Sequence, residues 1–385
     1  MLDVTTRARF SAKVKPPPLR LMDQPHQSVA ADQATARTIR RVDELVDARL
    51  VAGDDTKALQ AVADRFSIAI TPAMAELSTG ADDPVGRQFV PQAAELRITP
   101  DERPDPIGDV VHEAAPGVTH RYADRVLLKP VMTCAVYCRF CFRRETVGDG
   151  SQSLNPQQLA EAVDYIRRTP TIWEVILTGG DPLVMSPRRL RDILEQLATI
   201  EHVMVVRVHT RIPVVDPERI TAELMNALTS TRLTPWLVLH TNHVNELTPE
   251  ARSACARVID AGVPMLGQTV LLRGVNDSAD ALSALFRQLI VLRIKPYYLH
   301  HADLAAGTSH FRTDIETGQE LMTTLRATIS GICQPTYVLD IPGGYGKVPI
   351  GPTYLTRTDQ GWQVTDIAGA EHDYSDGRET SEADG

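Results

Sequence analysis

Residues 125–141 read RVLLKPVMTCAVYCRFC, and the interpretation of the whole chain starts from this run. Its first half, residues 125–132, is short and dense in Val and Leu, the pattern of a buried strand. Its second half sets Cys134, Cys138 and Cys141 in a C-x3-C-x2-C spacing directly after that strand. Strand-like runs recur downstream at 174–178, 204–209, 236–240, 265–271, 296–300 and 336–340, with helical runs between them. Four of those helices mark their own starts. Asn155-Pro156, Ser186-Pro187, Asp216-Pro217 and Thr248-Pro249 each put a capping side chain before a proline suited to the first helical position. Gly262 is placed to close the helix that Thr248 opens. Strand and helix alternating at this spacing predict βα units and a parallel sheet, hence an α/β fold. With about seven strands and polar motifs just after strand ends, a partial (β/α) barrel is expected rather than an open doubly wound sheet.

Outside this repeating part, 119–350, the chain changes character. Residues 1–30 are rich in Pro, Lys, Arg and Gln without a sustained period and are expected to form a flexible arm. From 31 to 118, Ile39, Val42, Leu45, Val46 and Leu50, then Leu59, Val62, Ala63 and Phe66, recur at helical spacing. An N-terminal helical appendage is expected there, followed by a Pro- and acid-rich connector. The tail, 351–385, is expected to be largely disordered, its last part from Glu371 being acidic and Ser-rich. No internal repeat is found.

The formal charge of −9, with Lys and Arg scattered along 385 residues, gives no continuous basic face and argues against nucleic acid as a partner. Apolar runs fall far short of the ~20 residues that cross a bilayer. The basic first residues are followed by Pro16, Pro17 and Pro18 rather than an apolar stretch, so no membrane segment or secretory signal is expected and a cytoplasmic location is the default. Of five cysteines, three lie within eight residues, a poor disulfide pattern and a good metal pattern. Cys255 and Cys333 are expected to be core thiols.

Thiolates are the preferred ligands of iron–sulfur clusters, and a cubane needs four ligands. Three cysteines leave one iron open, to which the amino and carboxylate groups of S-adenosylmethionine (SAM) could chelate. The competing reading, zinc, would call for a fourth Cys or His at fixed spacing, and none follows within reach. A second signal is Thr178-Gly179-Gly180-Asp181-Pro182, immediately after the second strand. Alone it is only a turn. The cysteine spacing, its place after strand one and the aromatic Phe140 before the last cysteine resemble the radical SAM superfamily. In that family such a glycine-rich stretch meets the amino group of SAM, which implies a cofactor role for Gly179, Gly180 and Asp181.

Beyond His120, and through about Ile350, the chain is similar to lysine 2,3-aminomutase. The resemblance is carried by His120-Arg-Tyr-Ala-Asp-Arg125, Cys138-Arg-Phe-Cys-Phe-Arg-Arg144, Arg211-Ile-Pro-Val-Val215, His240-Thr-Asn-His243 and Val270-Leu-Leu-Arg-Gly-Val-Asn-Asp277. Asp303-Leu, His310-Phe-Arg-Thr313 and Asp340-Ile-Pro-Gly-Gly-Tyr-Gly-Lys347 add to it. It implies a [4Fe–4S] cluster on Cys134, Cys138 and Cys141, SAM as its partner, and pyridoxal 5′-phosphate (PLP) joined as an imine to Lys347. By the same resemblance Arg121 and Arg125 hold the PLP phosphate, and His240 and Gln268 lie beside SAM. Arg143 pairs with the substrate carboxylate, and Asp303 and Asp340 bind the far amino group of lysine. Taken singly, several of these residues have plainer readings: a lysine after a loop, a surface arginine, a capping aspartate.

The activity so implied is an isomerase moving the 2-amino group of L-lysine to C3 to give β-lysine, with an electron donor such as flavodoxin or ferredoxin. Lysine destined for or attached to elongation factor P, and arginine, remain alternative substrates; an iron–sulfur regulatory protein is the non-enzymatic alternative. The chain departs from the family pattern in two places. No cysteine follows Cys333, where the namesake enzyme has a zinc site, so its oligomeric assembly is not implied. Tyr345 stands where the loop usually has glycine, which would narrow or reshape the PLP pocket.

Overall fold

Strand and helix follow from where the β-branched and amphipathic runs fall. In the computed structural model the described residues are 37–375, apart from 149 and 360. The expected arm at 1–30 lies outside them. Three short helices come first, α1 (Val42–Asp47), α2 (Thr56–Ala63) and α3 (Pro72–Leu77), then strands β1 (Glu113–Ala115), β2 (Val118–Tyr122) and β3 (Arg125–Val131). The repeating part continues as α4 (Pro156–Arg167), β4 (Glu174–Gly179), α5 (Pro187–Ala198), β5 (Val205–Thr210), α6 (Ile212–Val215), α7 (Ala222–Thr229) and β6 (Thr234–His240). It ends with α8 (Pro249–Asp260), β7 (Met265–Val270), α9 (Ala279–Val291), β8 (Ile294–His300), α10 (Ile315–Thr328), β9 (Thr336–Asp340) and β10 (Lys347–Pro349). Beyond it lie β11 (Leu355–Thr358), β12 (Gly361–Thr365) and β13 (Glu371–Tyr374).

Strands β1 to β10 form one sheet in sequence order. The run from β3 to β9 is parallel throughout. The outer pairs β1–β2, β2–β3 and β9–β10 are antiparallel. Each crossover therefore steps the same way, which curls the sheet around one axis into a partial (β/α) barrel. The carboxyl ends of β3 to β9 then face one rim.

Three of the expected caps form. Asn155 accepts from the Gln158 amide at 2.9 Å, Ser186 from Arg189 at 3.3 Å and Thr248 from Ala251 at 3.2 Å. Gly262 turns the chain with φ +83°. Asp216 does not cap a helix. Ile212 to Val215 are all buried in α6, which Asp216 ends; Pro217–Arg219 then form a single 3-10 turn that the Asp216 side chain does not cap, and the next α-helix starts later, with Thr221 accepting from the Leu224 amide.

The N-terminal helices share one apolar core with the barrel rather than standing beside it: Val42, Leu45, Leu59 and Met74 lie in the cluster that contains Val126, Leu177 and Val206. The helical run expected to reach Leu50 stops at Asp47, and Arg49 turns the chain with φ +59°. The tail corrects an expectation. Residues 355–374 form a three-stranded antiparallel sheet instead of disorder, turned at Asp366, whose carboxylate accepts from the Ala368 and Ala370 amides, while 376–385 lie outside the described residues. Its outer strands are solvent-exposed along their length, so they need no apolar residues, and composition alone hides them.

The connector is pinned by a buried ion triad. Glu95, fully buried, accepts from Arg139 Nη2 at 2.6 Å and Nε at 3.0 Å, and also pairs with Arg144. Burial alone would raise its pKa, but the two guanidiniums hold it below the ordinary carboxylate range. Replacing Glu95→Gln keeps the shape and leaves two buried cations uncompensated. Urea denaturation should then show a loss of about 3–5 kcal/mol; a loss below about 1 kcal/mol would mean the triad anchors nothing.

Candidate active site

The interior of the barrel is a cavity of roughly 740 Å³ whose walls come from β2 through β10 and from the cysteine segment. Cys134, Cys138 and Cys141 face it from a stretch with no helix or strand of its own. That stretch is held from outside: the Tyr137 amide donates to Ala69 O at 3.0 Å and the Arg139 amide to Gln88 O at 2.8 Å. All three thiols are free. Burial pushes the Cys141 thiol up to about 11 and Cys134 well above its ordinary value, so a positive metal centre is what would hold them as thiolates. Among the described residues no three His, Cys, Asp or Glu side chains converge enough to chelate one metal ion. Three thiols facing one cavity are the kind of donor an iron–sulfur cluster would take.

Gly180 sits directly beneath this segment. A Cβ there would lie 2.2 Å from Thr133 O, so only glycine allows β4 to end against the residue before Cys134. Asp181 also lines the cavity, but its carboxylate is taken by the fold: it accepts from Thr210 Oγ1 and the Arg211 amide, each at 2.7 Å, and from the Leu183 amide. His240 and Gln268 are register partners at the ends of β6 and β7. The His240 ring stands edge-on to Phe140, and its Nε2 is buried without a partner among the described residues. Burial drives His240 and His209 well below the ordinary histidine range, so both are neutral imidazoles.

At the far edge of the sheet, β9 and β10 form a hairpin in which Lys347 stands directly opposite Asp340. Gly343, Gly344 and Gly346 all have positive φ between them. Lys347 Nζ pairs with Asp340 Oδ2 and lies 3.2 Å from His300 Nδ1, and its amide donates to Tyr122 OH at 2.9 Å. Burial would raise the Asp340 pKa, but His300 and Lys347 hold it below the ordinary carboxylate range. Asp303, in the same cavity, behaves oppositely: burial, then the neighbouring Asp340 charge, pushes it up to about 7. Arg121 reaches within 3.9 Å of both Asp340 and Asp109. Arg125 stacks on Tyr122, 3.9 Å from its ring centroid. Arg143 donates through Nε to Asp109 at 2.7 Å and is 3.4 Å from Thr178 Oγ1.

Every residue given a cofactor, substrate or metal role from the sequence lines this one cavity. The sequence reading missed Asp109, which gathers Arg143, Arg121 and, at 3.8 Å, Lys129. It also missed His300 and Tyr122. His300 carried a signal, a polar residue ending a strand; Asp109, in an aperiodic connector, carried none. Tyr345 is 81% exposed and does not line the cavity, so it does not narrow the pocket as expected.

The family description of the radical SAM superfamily matches residues 128–285. The L-lysine 2,3-aminomutase of Clostridium subterminale is 41% identical over 319 residues, which cover 82% of this chain and 76% of that one. That of Acetoanaerobium sticklandii is 39% identical, covering 82% and 77%. The glutamate 2,3-aminomutase of Clostridioides difficile is 36% identical, covering 82% and 75%. Fold, site and sequence thus define a radical SAM enzyme. Within that class, the chain belongs to the lysine 2,3-aminomutase family. It is an aminomutase, an isomerase, and as a radical SAM enzyme its cofactors include a [4Fe–4S] cluster and SAM. No helix among the described residues is long and apolar enough to cross a membrane.

The inequality of the two aspartates is measurable. A raised pKa means that Asp303 keeps its proton up to neutrality. The infrared carboxyl band that disappears in Asp303→Asn should therefore bleach in the wild type as pH rises through about 7. Asp340→Asn removes the nearby negative charge and should move that midpoint down. A midpoint that stays put or rises would show that the two carboxylates do not sense each other.

Proposed function

We propose that the substrate is L-lysine and the product β-lysine, the 2-amino group moving to C3. The observation that carries this reading is the pair Asp303 and Asp340, two carboxylates within electrostatic reach of each other inside the cavity. Two such charges are stable together only with a cation between them. Within the chain Lys347 supplies part of that charge; a substrate ammonium would complete it. A side-chain carboxylate, as in glutamate, would be repelled.

In this reading Cys134, Cys138 and Cys141 hold the cluster, and the backbone at Gly179 and Gly180, with His240 and Gln268, flanks SAM. Lys347 is the attachment point of PLP, and Arg121 and Arg125 receive its phosphate as planar, permanently charged donors. Cluster and SAM supply hydrogen abstraction, and PLP a conjugated group through which nitrogen can move. The chain itself positions and excludes. Arg143, oriented by Asp109 and Thr178, presents its remaining N–H groups to the substrate carboxylate. The aspartates fix the other end, so the carbon between is held against the reacting centre. The neutral imidazoles wall the cavity without adding charge. A flavodoxin- or ferredoxin-like protein would deliver the electron.

The test is anaerobic reconstitution with iron, sulfide, SAM and PLP, followed by chromatography of the products from free lysine, arginine, glutamate, norleucine and lysylated elongation factor P. Free lysine should be converted and glutamate and norleucine hardly at all; equal use of glutamate would end the lysine assignment. Cys138→Ala should lose iron, and borohydride should trap PLP on Lys347. Asp340→Asn leaves a substrate ammonium short of one partner and should cost ~2–5 kcal/mol in kcat/KM for lysine, narrowing its lead over norleucine.

A further inference from the structure

Arg211 has no role in the reading above, yet it is one of the most constrained side chains in the molecule. It follows β5 immediately and is 5% exposed. Its amide donates to Asp181 Oδ2 at 2.7 Å, which fixes the backbone beside the end of β4. Its guanidinium reaches toward the cysteine segment, where Nη1 lies 2.9 Å from Cys138 Sγ. Nη2 donates to Glu246 Oε2 at 2.6 Å and to Gln88 Oε1 at 2.5 Å. The Phe89 ring centroid lies 4.6 Å from the guanidinium carbon and that of Phe140 5.7 Å.

The far side of this contact is equally built. Glu246 is fully buried, and its other oxygen accepts from Gln88 Nε2 at 3.0 Å and from the amides of Asn242 and His243, each at 2.9 Å. Arg211 can neither swing to solvent nor lose its counter-charge. Cys141, by comparison, is approached by the Arg143 backbone amide at a longer 3.4 Å. A permanent, immobile cation is thus aimed at one of the three sulfurs.

Adding an electron to a thiolate-bound cluster increases the negative charge on its sulfurs. Donors to those sulfurs favour the reduced form and raise the potential, and burial magnifies the effect. Resting on the assignment of the three cysteines as cluster ligands, we propose that Arg211 tunes the cluster, raising its reduction potential through the bond to Cys138, with Glu246 holding the guanidinium in place and partly offsetting its charge. The consequence is a cluster that accepts its electron more readily from a donor protein.

The proposal predicts displacements of opposite sign, which a merely structural role would not produce. Full-length protein is reconstituted with iron and sulfide, and the midpoint potential is read by redox titration followed by electron paramagnetic resonance, with iron per chain measured alongside. Arg211→Gln should shift the midpoint to more negative values and Arg211→Lys should fall between it and the wild type. Glu246→Gln, removing the offsetting charge, should shift it to more positive values. If the wild type binds no iron, the ligand assignment itself fails. If Arg211→Gln binds iron and keeps the wild-type midpoint, the tuning role is overturned. Should Arg211→Gln not fold, Glu246→Gln decides alone: an unchanged or more negative midpoint rejects the proposal.

Discussion

A loop without secondary structure can present three ligands in fixed positions only if something else makes it rigid. Here that is buried charge. Glu95 grips Arg139 and Arg144 from one side of the cysteine segment, and Glu246 holds Arg211 against Cys138 from the other. Ions taken out of water are costly, and an apolar substitute of similar volume would often serve stability as well or better. Apolar packing, however, is non-directional. A guanidinium held by a carboxylate fixes both distance and angle, which a metal-binding loop needs and a core does not. The N-terminal region therefore helps hold the cysteine segment: Gln88 and Glu95, which contact the segment or its arginines, both come from it.

Charge is arranged with similar economy inside the cavity. Three imidazoles, His209, His240 and His300, are held neutral by burial, so the wall is polar without being cationic. The formal charges are kept to a few arginines, one lysine, the aspartates and Glu174, which pairs with Arg207. Asp109 and Asp340 are each pulled into the ionised state by cations beside them, while Asp303 is left poised near neutrality. Of the two carboxylates at the proposed substrate end, one is already committed to ionisation. The other is pushed up to about 7, where a cation placed beside it would favour its ionised form.

How much of this could be read from sequence depended on range. The seven parallel strands follow from local runs of Val, Ile and Leu, and three helix starts follow from a cap and a proline two residues wide. The cysteines, Lys347 and the glycine turn after β4 are also short-range patterns. What failed involved neighbours distant along the chain. Asp216 looks like a cap until the burial of Val214 and Val215 shows it ending a different helix. Asp109 becomes meaningful only because folding brings it to Arg143, 34 residues away. The strands at 355–374 were hidden because a sheet with exposed outer strands carries no apolar alternation there. Tyr345 was misjudged because loop composition does not say which way a side chain faces.

The hairpin of β9 and β10 has one more consequence. Asp340 and Lys347 are exact cross-strand partners, and side chains on adjacent strands alternate between faces with a period of two. The loop between them is therefore a ruler. Its most conspicuous residue, Tyr345, points to solvent. Gaining or losing a single residue between Ile341 and Gly346, however, would turn the lysine out of the barrel while leaving every strand able to form. Such a chain would fold normally yet misplace the lysine proposed to hold the cofactor, so this turn is constrained in length as well as by its three positive-φ glycines.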